Sequence, residues 1–179
     1  MQKRKRRLEF EVDKLTRSIE NTLTGKNFET EFFRLTTDDL PTLQSLNWTF
    51  NWAIELDDLA RKVYALTTKE NPLLWHGLVD YSDKGDHLFM HLIESAPFNK
   101  GHEKLYEGVA GNMVAFVCKL SFEEGYNGVV AFEAKTRLIE HYEKTLGAQR
   151  FTSHRMFINT PAAYKLVKQY FPNFDNDRL

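Results

Sequence analysis

Apolar and polar residues first interleave over residues 28–35, where Phe28, Phe32, Phe33 and Leu35 alternate loosely with Glu29, Glu31 and Arg34. This aromatic and β-branched stretch follows the turn signal Thr24, Gly25, Lys26 and Asn27, and it predicts a strand. Thr36, Thr37, Asp38 and Asp39 are capping residues, and Pro41 suits the first turn of a short helix after them. Trp48, Phe50 and Trp52 alternate, which predicts either a strand or a loop anchored by its aromatic rings. Strands are then expected at residues 61–67, 73–81 and 87–94. The turns between them carry Asn71 with Pro72 and Gly85 with Asp86, short enough for an antiparallel meander.

The periodicity then changes. Residues 109–124 predict a helix stopped by Gly125. Val129, Val130, Ala131 and Phe132 form a continuous apolar run of the kind a buried parallel strand carries. Residues 136–146 read as a helix with Leu138, Ile139, Tyr142 and Leu146 on or near one face, ended by Gly147. A last strand is expected at 155–158, and Thr160 with Pro161 opens a helix running to Tyr170. Residues 10–23 are mixed and predict no single element. A meander followed by strand–helix alternation gives an α/β or α+β fold with a mixed, largely antiparallel central sheet and helices on both faces.

At 179 residues with 42% hydrophobic content, the chain can bury one core, and no apolar run approaches the length of a bilayer span. The single Cys118 sits in an apolar helical pattern and reads as a core residue, which removes disulfide stapling and thiolate metal clusters. The charges at the N-terminus are not followed by the apolar stretch of a secretion signal, so the expected compartment is the cytoplasm, without a membrane partner. Net charge is −1, yet Lys3, Arg4, Lys5, Arg6 and Arg7 are consecutive cations, so the rest of the chain is acidic. Residues 1–28 are therefore read as an N-terminal extension with a basic arm, and residues 29–179 as the functional domain. An acidic body is not that of a nucleic-acid binder.

The most informative local pattern is Tyr106, Glu107, Gly108, Val109, Ala110, Gly111 and Asn112, a small-residue turn running into the helix at 109–124. Glycines allow close backbone approach, and a helix start leaves N–H groups without intrahelical partners; together they suit a phosphate or pyrophosphate. A dinucleotide-binding fold would need a G-x-G-x-x-G spacing that this turn lacks, after strands that here read antiparallel.

With this turn, the order of elements resembles the GCN5-related N-acetyltransferase superfamily over residues 30–171. Residues 31–40 resemble that family's opening strand and first helix start, residues 106–111 its pyrophosphate loop, and residues 141–148 its late helix ending in tyrosine, glutamate, lysine and glycine. The resemblance implies acetyl-CoA as cosubstrate and an amine as acceptor. It places the N–H groups of Gly108, Val109, Ala110, Gly111 and Asn112 on the pyrophosphate, Ser95 near the pantetheine arm, and Tyr142 as proton donor to the departing thiolate. The chain departs from the family at Leu105, where Arg or Gln is usual, at Lys135, the nearest match to a frequent Asn, and in a longer 97–108 connection.

Direct acetyl transfer needs a neutral amine, a polarised carbonyl and a proton for the thiolate. Glu94 ends the strand before the loop. By alternation it shares a face with Leu88, Met90 and Leu92, so partial burial is expected to raise its pKa and suit it to take the proton of an ammonium substrate. Asn99, Lys100 and Gly101 lie in the long loop, within reach of a substrate. His87 and His91 share a strand face without supporting carboxylates, so no metal site is expected. Two other classes compete: a non-catalytic acyl-CoA-sensing domain, and an interaction module using the basic arm.

Overall fold

A computed structural model describes residues 6–178. The capping residues act as expected: the Thr36 side chain accepts from the Asp38 N–H, and Asp39 accepts from the Thr36 N–H at 2.8 Å. This turn links strand β3 (Thr30–Arg34) to helix α1 (Leu40–Ser45). The aromatic stretch that follows is a loop leading into helix α2 (Trp52–Asp57), with Trp52 buried at its start. The meander is β4 (Lys62–Thr68), β5 (Gly77–Asp83) and β6 (Leu88–Ser95). Then come α3 (Val109–Glu123), β8 (Val130–Glu133), α4 (Ile139–Leu146), β9 (Gln149–Thr152), β10 (Arg155–Ile158) and α5 (Thr160–Tyr170). Strand β9 gave no sequence signal because all four of its residues are exposed.

The main sheet has seven strands in the order β3-β4-β5-β6-β8-β10-β9. Every neighbouring pair is antiparallel except β6 and β8, which run parallel through only Leu88↔Val130 and Phe89↔Ala131 before they separate. The β5–β6 register slips between Asp80↔Leu92 and Tyr81↔Met90, leaving His91 as a bulge. A bulge reverses the alternation. Leu88, Met90 and Ile93 pack in the large core with α3 and α5, whereas Leu92 packs with Trp52, Trp75 and Leu78 on the side of α1 and α2. Glu94 therefore follows Leu92 onto the α2 side and does not share a face with Leu88 and Met90.

Residues 6–28 are built into this body and not set apart from it. Leu8, Val12 and Ile19 are 2%, 4% and 0% exposed and belong to the large core. Strand β1 (Ile19–Asn21) sits between β2 (Asn27–Phe28) and β7 (Tyr106–Glu107) in a separate three-stranded antiparallel sheet. Of the expected basic arm, Lys3, Arg4 and Lys5 lie outside the described residues, while Arg6 pairs with Glu55 at 2.8 Å. Among the described residues no helix is long and apolar enough to cross a membrane.

Candidate functional site

Where β6 and β8 part, neither strand can satisfy the other's backbone, and a cleft opens against the start of α3. It holds a cavity of about 760 Å³ bordered by Ser95, Lys100, Lys104, Val109, Ala110 and the N-terminal residues 9–13. Asn99 and Gly101 of the long loop line it as well. Gly108 is the α3 N-cap in the left-handed region at φ 80°, with no side-chain cap. The first-turn N–H groups of Val109, Ala110 and Gly111 lie before the fourth helical position and so have no intrahelical acceptor. Unpaired N–H groups beside two lysines make this corner suited to a phosphate-bearing ligand, and the cavity has room for an extended one.

The expected pyrophosphate residues divide. Val109 and Ala110 border the cavity. The Gly108 N–H is already used, donating to Asp13 Oδ1 at 3.2 Å. Asn112 cannot serve as proposed: its N–H closes the helix onto the Gly108 carbonyl at 3.0 Å, and its fully buried side chain donates to Thr30 Oγ1. The glycines also answer to packing. A Cβ at Gly108 would lie 1.9 Å from Thr16 Oγ1, and one at Gly111 would lie 2.4 Å from the Tyr170 hydroxyl. Their smallness thus serves the contact with residues 15–18 and α5, a partner the sequence pattern did not reveal.

Glu94 is almost sealed, its side chain 1% exposed. Oε1 accepts from the Thr49 N–H at 2.7 Å and Lys100 Nζ at 3.0 Å; Oε2 accepts from Trp52 Nε1 at 2.8 Å and the Phe50 N–H at 3.3 Å. Burial pushes its pKa up, but hydrogen bonds from Trp52, Lys100 and Thr49 outweigh burial and hold it below the ordinary carboxylate value. This reverses the expected shift, since donors aimed at a carboxylate favour its charged form. In this arrangement Glu94 fastens the Thr49–Trp52 turn beside the cavity and has little basicity to offer. Ser95, the next residue, borders the cavity.

Tyr142 is completely buried, and its hydroxyl donates to the Phe10 carbonyl at 2.5 Å. The Phe10 ring stacks on it at 4.8 Å, and burial raises its pKa above the ordinary phenol value. It lies under the N-terminal segment, while its neighbour His141 borders the cavity and accepts the Val12 N–H on Nε2 at 2.9 Å.

Sequence reasoning missed two further groups. Asp80, with 0% exposure, accepts from Arg61 Nη1 at 3.0 Å, and the same nitrogen reaches Glu55 Oε2 at 3.0 Å. Burial, then Glu55, push the Asp80 pKa well up, with Arg61 opposing. Glu55 and Arg61 of this network line a second cavity of about 690 Å³ on the α2 side, together with Phe89, His91 and Arg155. His76 is buried against Tyr106, and burial lowers its pKa to about 4, so it is a neutral acceptor for Asn99. Each of these sits on an unremarkable strand or loop in sequence, and only folding brings its partners together. Among the described residues no three His, Cys, Asp or Glu side chains gather as a metal group.

No family model and no curated protein matches the chain by sequence. Solved structures match by fold. Spermidine/spermine N-acetyltransferase SpeG from Vibrio cholerae, crystallised with manganese ions, is similar at a TM-score of 0.53 and 14% identity, covering 76% of this chain and 96% of its own. AtaTR bound with AcCoA is similar at 0.54 and 15%, over 77% and 98%. The ribosomal-protein-S18-alanine N-acetyltransferase from Escherichia coli is similar at 0.51 and 13%, over 72% and 90%. With the strand order and the β6/β8 parting described above, these neighbours show that the chain has the fold of the GCN5-related N-acetyltransferases.

Proposed function

We propose that this chain is an acetyl-CoA-dependent N-acetyltransferase that transfers the acetyl group directly to an amine. The observation that carries the reading is the cavity at the β6/β8 parting, which brings a helix N-terminus and two lysines to one space of about 760 Å³. A neighbour of the same fold is bound with AcCoA, and two others are named for acetylating amines. The thioester would supply the activated acyl group and a thiol leaving group.

The residues present fit that group. The N–H groups of Val109 and Ala110, with Lys104, would hold the phosphates by charge-assisted hydrogen bonds. Ser95 would border the pantetheine arm. Glu94, saturated by its four donors, would position the Thr49–Trp52 turn against the acceptor, which would enter as the neutral amine. Tyr142 would protonate the thiolate once the Phe10 carbonyl releases its hydroxyl, because an un-ionised phenol can donate without prior activation.

Calorimetry with acetyl-CoA and coenzyme A, then an amine screen reading released thiol, tests the proposal. Binding in the micromolar range and thiol release with at least one amine class are expected. Absence of coenzyme A binding by both the native protein and an Asp13→Asn variant would overturn it. A second reading, an acyl-CoA-binding domain without turnover, is favoured by the saturation of Glu94. Binding without thiol release from any amine would select it.

A further inference from the structure

Residues 8–13 carry a strict alternation. Leu8 and Val12 belong to the core and Phe10 packs against it, while Glu9, Glu11 and Asp13 alternate with them, and residues 9–13 together border the 760 Å³ cavity. Each carboxylate already holds a cation, Glu9 with Lys135, Glu11 with Arg137 at 3.7 Å and Asp13 with Lys104 at 3.1 Å, so the segment takes up positive charge that a polyphosphate ligand would attract. The segment also holds the atoms that such a ligand would need. The Asp13 carboxylate accepts from the Gly108 N–H at 3.2 Å and pairs with Lys104 at 3.1 Å, so an anion already sits at the start of α3. The Phe10 carbonyl occupies the Tyr142 hydroxyl.

Its attachment differs along its length. On the C-terminal side it is anchored: the Thr16 N–H donates to the Tyr170 hydroxyl at 3.2 Å, and Gln169 Nε2 donates to the Thr16 carbonyl. Further back one parallel bridge joins its backbone to the sheet, Leu8 N–H to Glu133 O at 2.6 Å and Lys135 N–H to Leu8 O at 3.0 Å, and the Val12 N–H donates to His141 Nε2 at 2.9 Å. That bridge uses the edge of β8 left open where β6 turns away. Arg6 ends the segment, its guanidinium on Glu55 and 5.3 Å from the centre of the Phe50 ring. Since Phe50 borders the first cavity and Glu55 the second, Arg6 stands between the two.

We propose that residues 6–13 are a built-in competitor of the coenzyme: in the resting protein they form one wall of the cleft and hold its Gly108 N–H, Lys104 and Tyr142 hydroxyl, and coenzyme A binds as they swing out about the Thr16 anchor. Withdrawal would free the Gly108 N–H, Lys104 and the Tyr142 hydroxyl in one movement and join the donor cavity to the one lined by Glu55 and Arg61. The proposal rests on the coenzyme reading above. A fixed wall would hold the same contacts whether or not coenzyme is present, and the two cases differ in what ligand does to the segment.

The test uses the whole chain. Calorimetry with coenzyme A on the native protein and on Asp13→Asn, which keeps the shape and removes the charge, should show the variant binding about 10-fold more tightly. Amide hydrogen exchange on the native protein, which needs no variant, should show the Leu8 and Val12 amides exchanging at least about 10-fold faster with saturating coenzyme A. Unchanged affinity in Asp13→Asn, or undiminished protection of Leu8 and Val12 in the coenzyme A complex, would overturn the competitor while leaving the coenzyme reading intact. If neither protein binds coenzyme A, both proposals fall.

Discussion

Replacing Glu94 by Gln separates a clamp from a base. The carboxylate accepts two hydrogen bonds on each oxygen, whereas an amide offers one accepting oxygen and an NH₂ group that cannot accept. Trp52 is 1% exposed, so its indole N–H must keep a partner, and the Gln oxygen should turn toward Trp52 and Phe50. The Thr49 N–H and Lys100 then face a donor. Lys100, with its side chain 42% exposed, can turn to water, but the Thr49 N–H loses a short bond. Thr49 is an exposed residue, so its N–H too can turn to water, and the loss is that of hydrogen bonds to a charged acceptor, about 1.5–3 kcal/mol altogether. For a chain of this size that is a fall in Tm of roughly 3–12 °C.

The pH dependence gives a second handle. Glu94 is held below its ordinary value, so the stabilisation is present above the unfolded-state pKa and disappears as pH falls through the folded one. Urea unfolding of native and Glu94→Gln proteins should therefore show the full gap at pH 7 and a shrinking gap below pH ~4.5. A variant as stable as the native protein at pH 7, with thiol release reduced more than about 100-fold, would refute the clamp and restore Glu94 as the proton acceptor.

Gly108→Val should destabilise by more than ~3 kcal/mol, because its Cβ meets Thr16 at a residue whose φ is 80°; a Tm equal to the native value would refute this packing. Tyr142→Phe should lower turnover by about 10- to 1,000-fold while leaving coenzyme A affinity nearly unchanged, and intact turnover with only reduced stability would make Tyr142 a core residue. Arg61→Leu should cost about 3–5 kcal/mol by leaving buried Asp80 without its cation, while Glu55 keeps Arg6. Because the folded-state pKa of Asp80 is raised, proton uptake should return part of that loss as pH falls. A loss independent of pH would show that the missing side-chain volume, and not charge, is responsible.

Local chemistry determined the elements with strong period or caps. Thr36 and Asp39, the apolar run before Glu133, Gly147 and the Thr160–Pro161 opening each name their own conformation through short-range forces. Their order was enough for the fold class and for locating the cleft at the start of α3. What tertiary structure alone decided is which way side chains face and what fills the space between elements. The bulge at His91 is invisible in the alternation of residues 87–94, yet it sends Glu94 to the α2 side and into four donors that invert its expected pKa shift. The exposed edge strand β9 carries no apolar signal because only its backbone is paired. Residues 8–13 alternate apolar and acidic side chains yet form no named strand of their own. They gain their order from the open edge of β8, the Tyr142 hydroxyl and the Gly108 N–H, partners that lie more than ninety residues away along the chain and become neighbours only when the sheet parts.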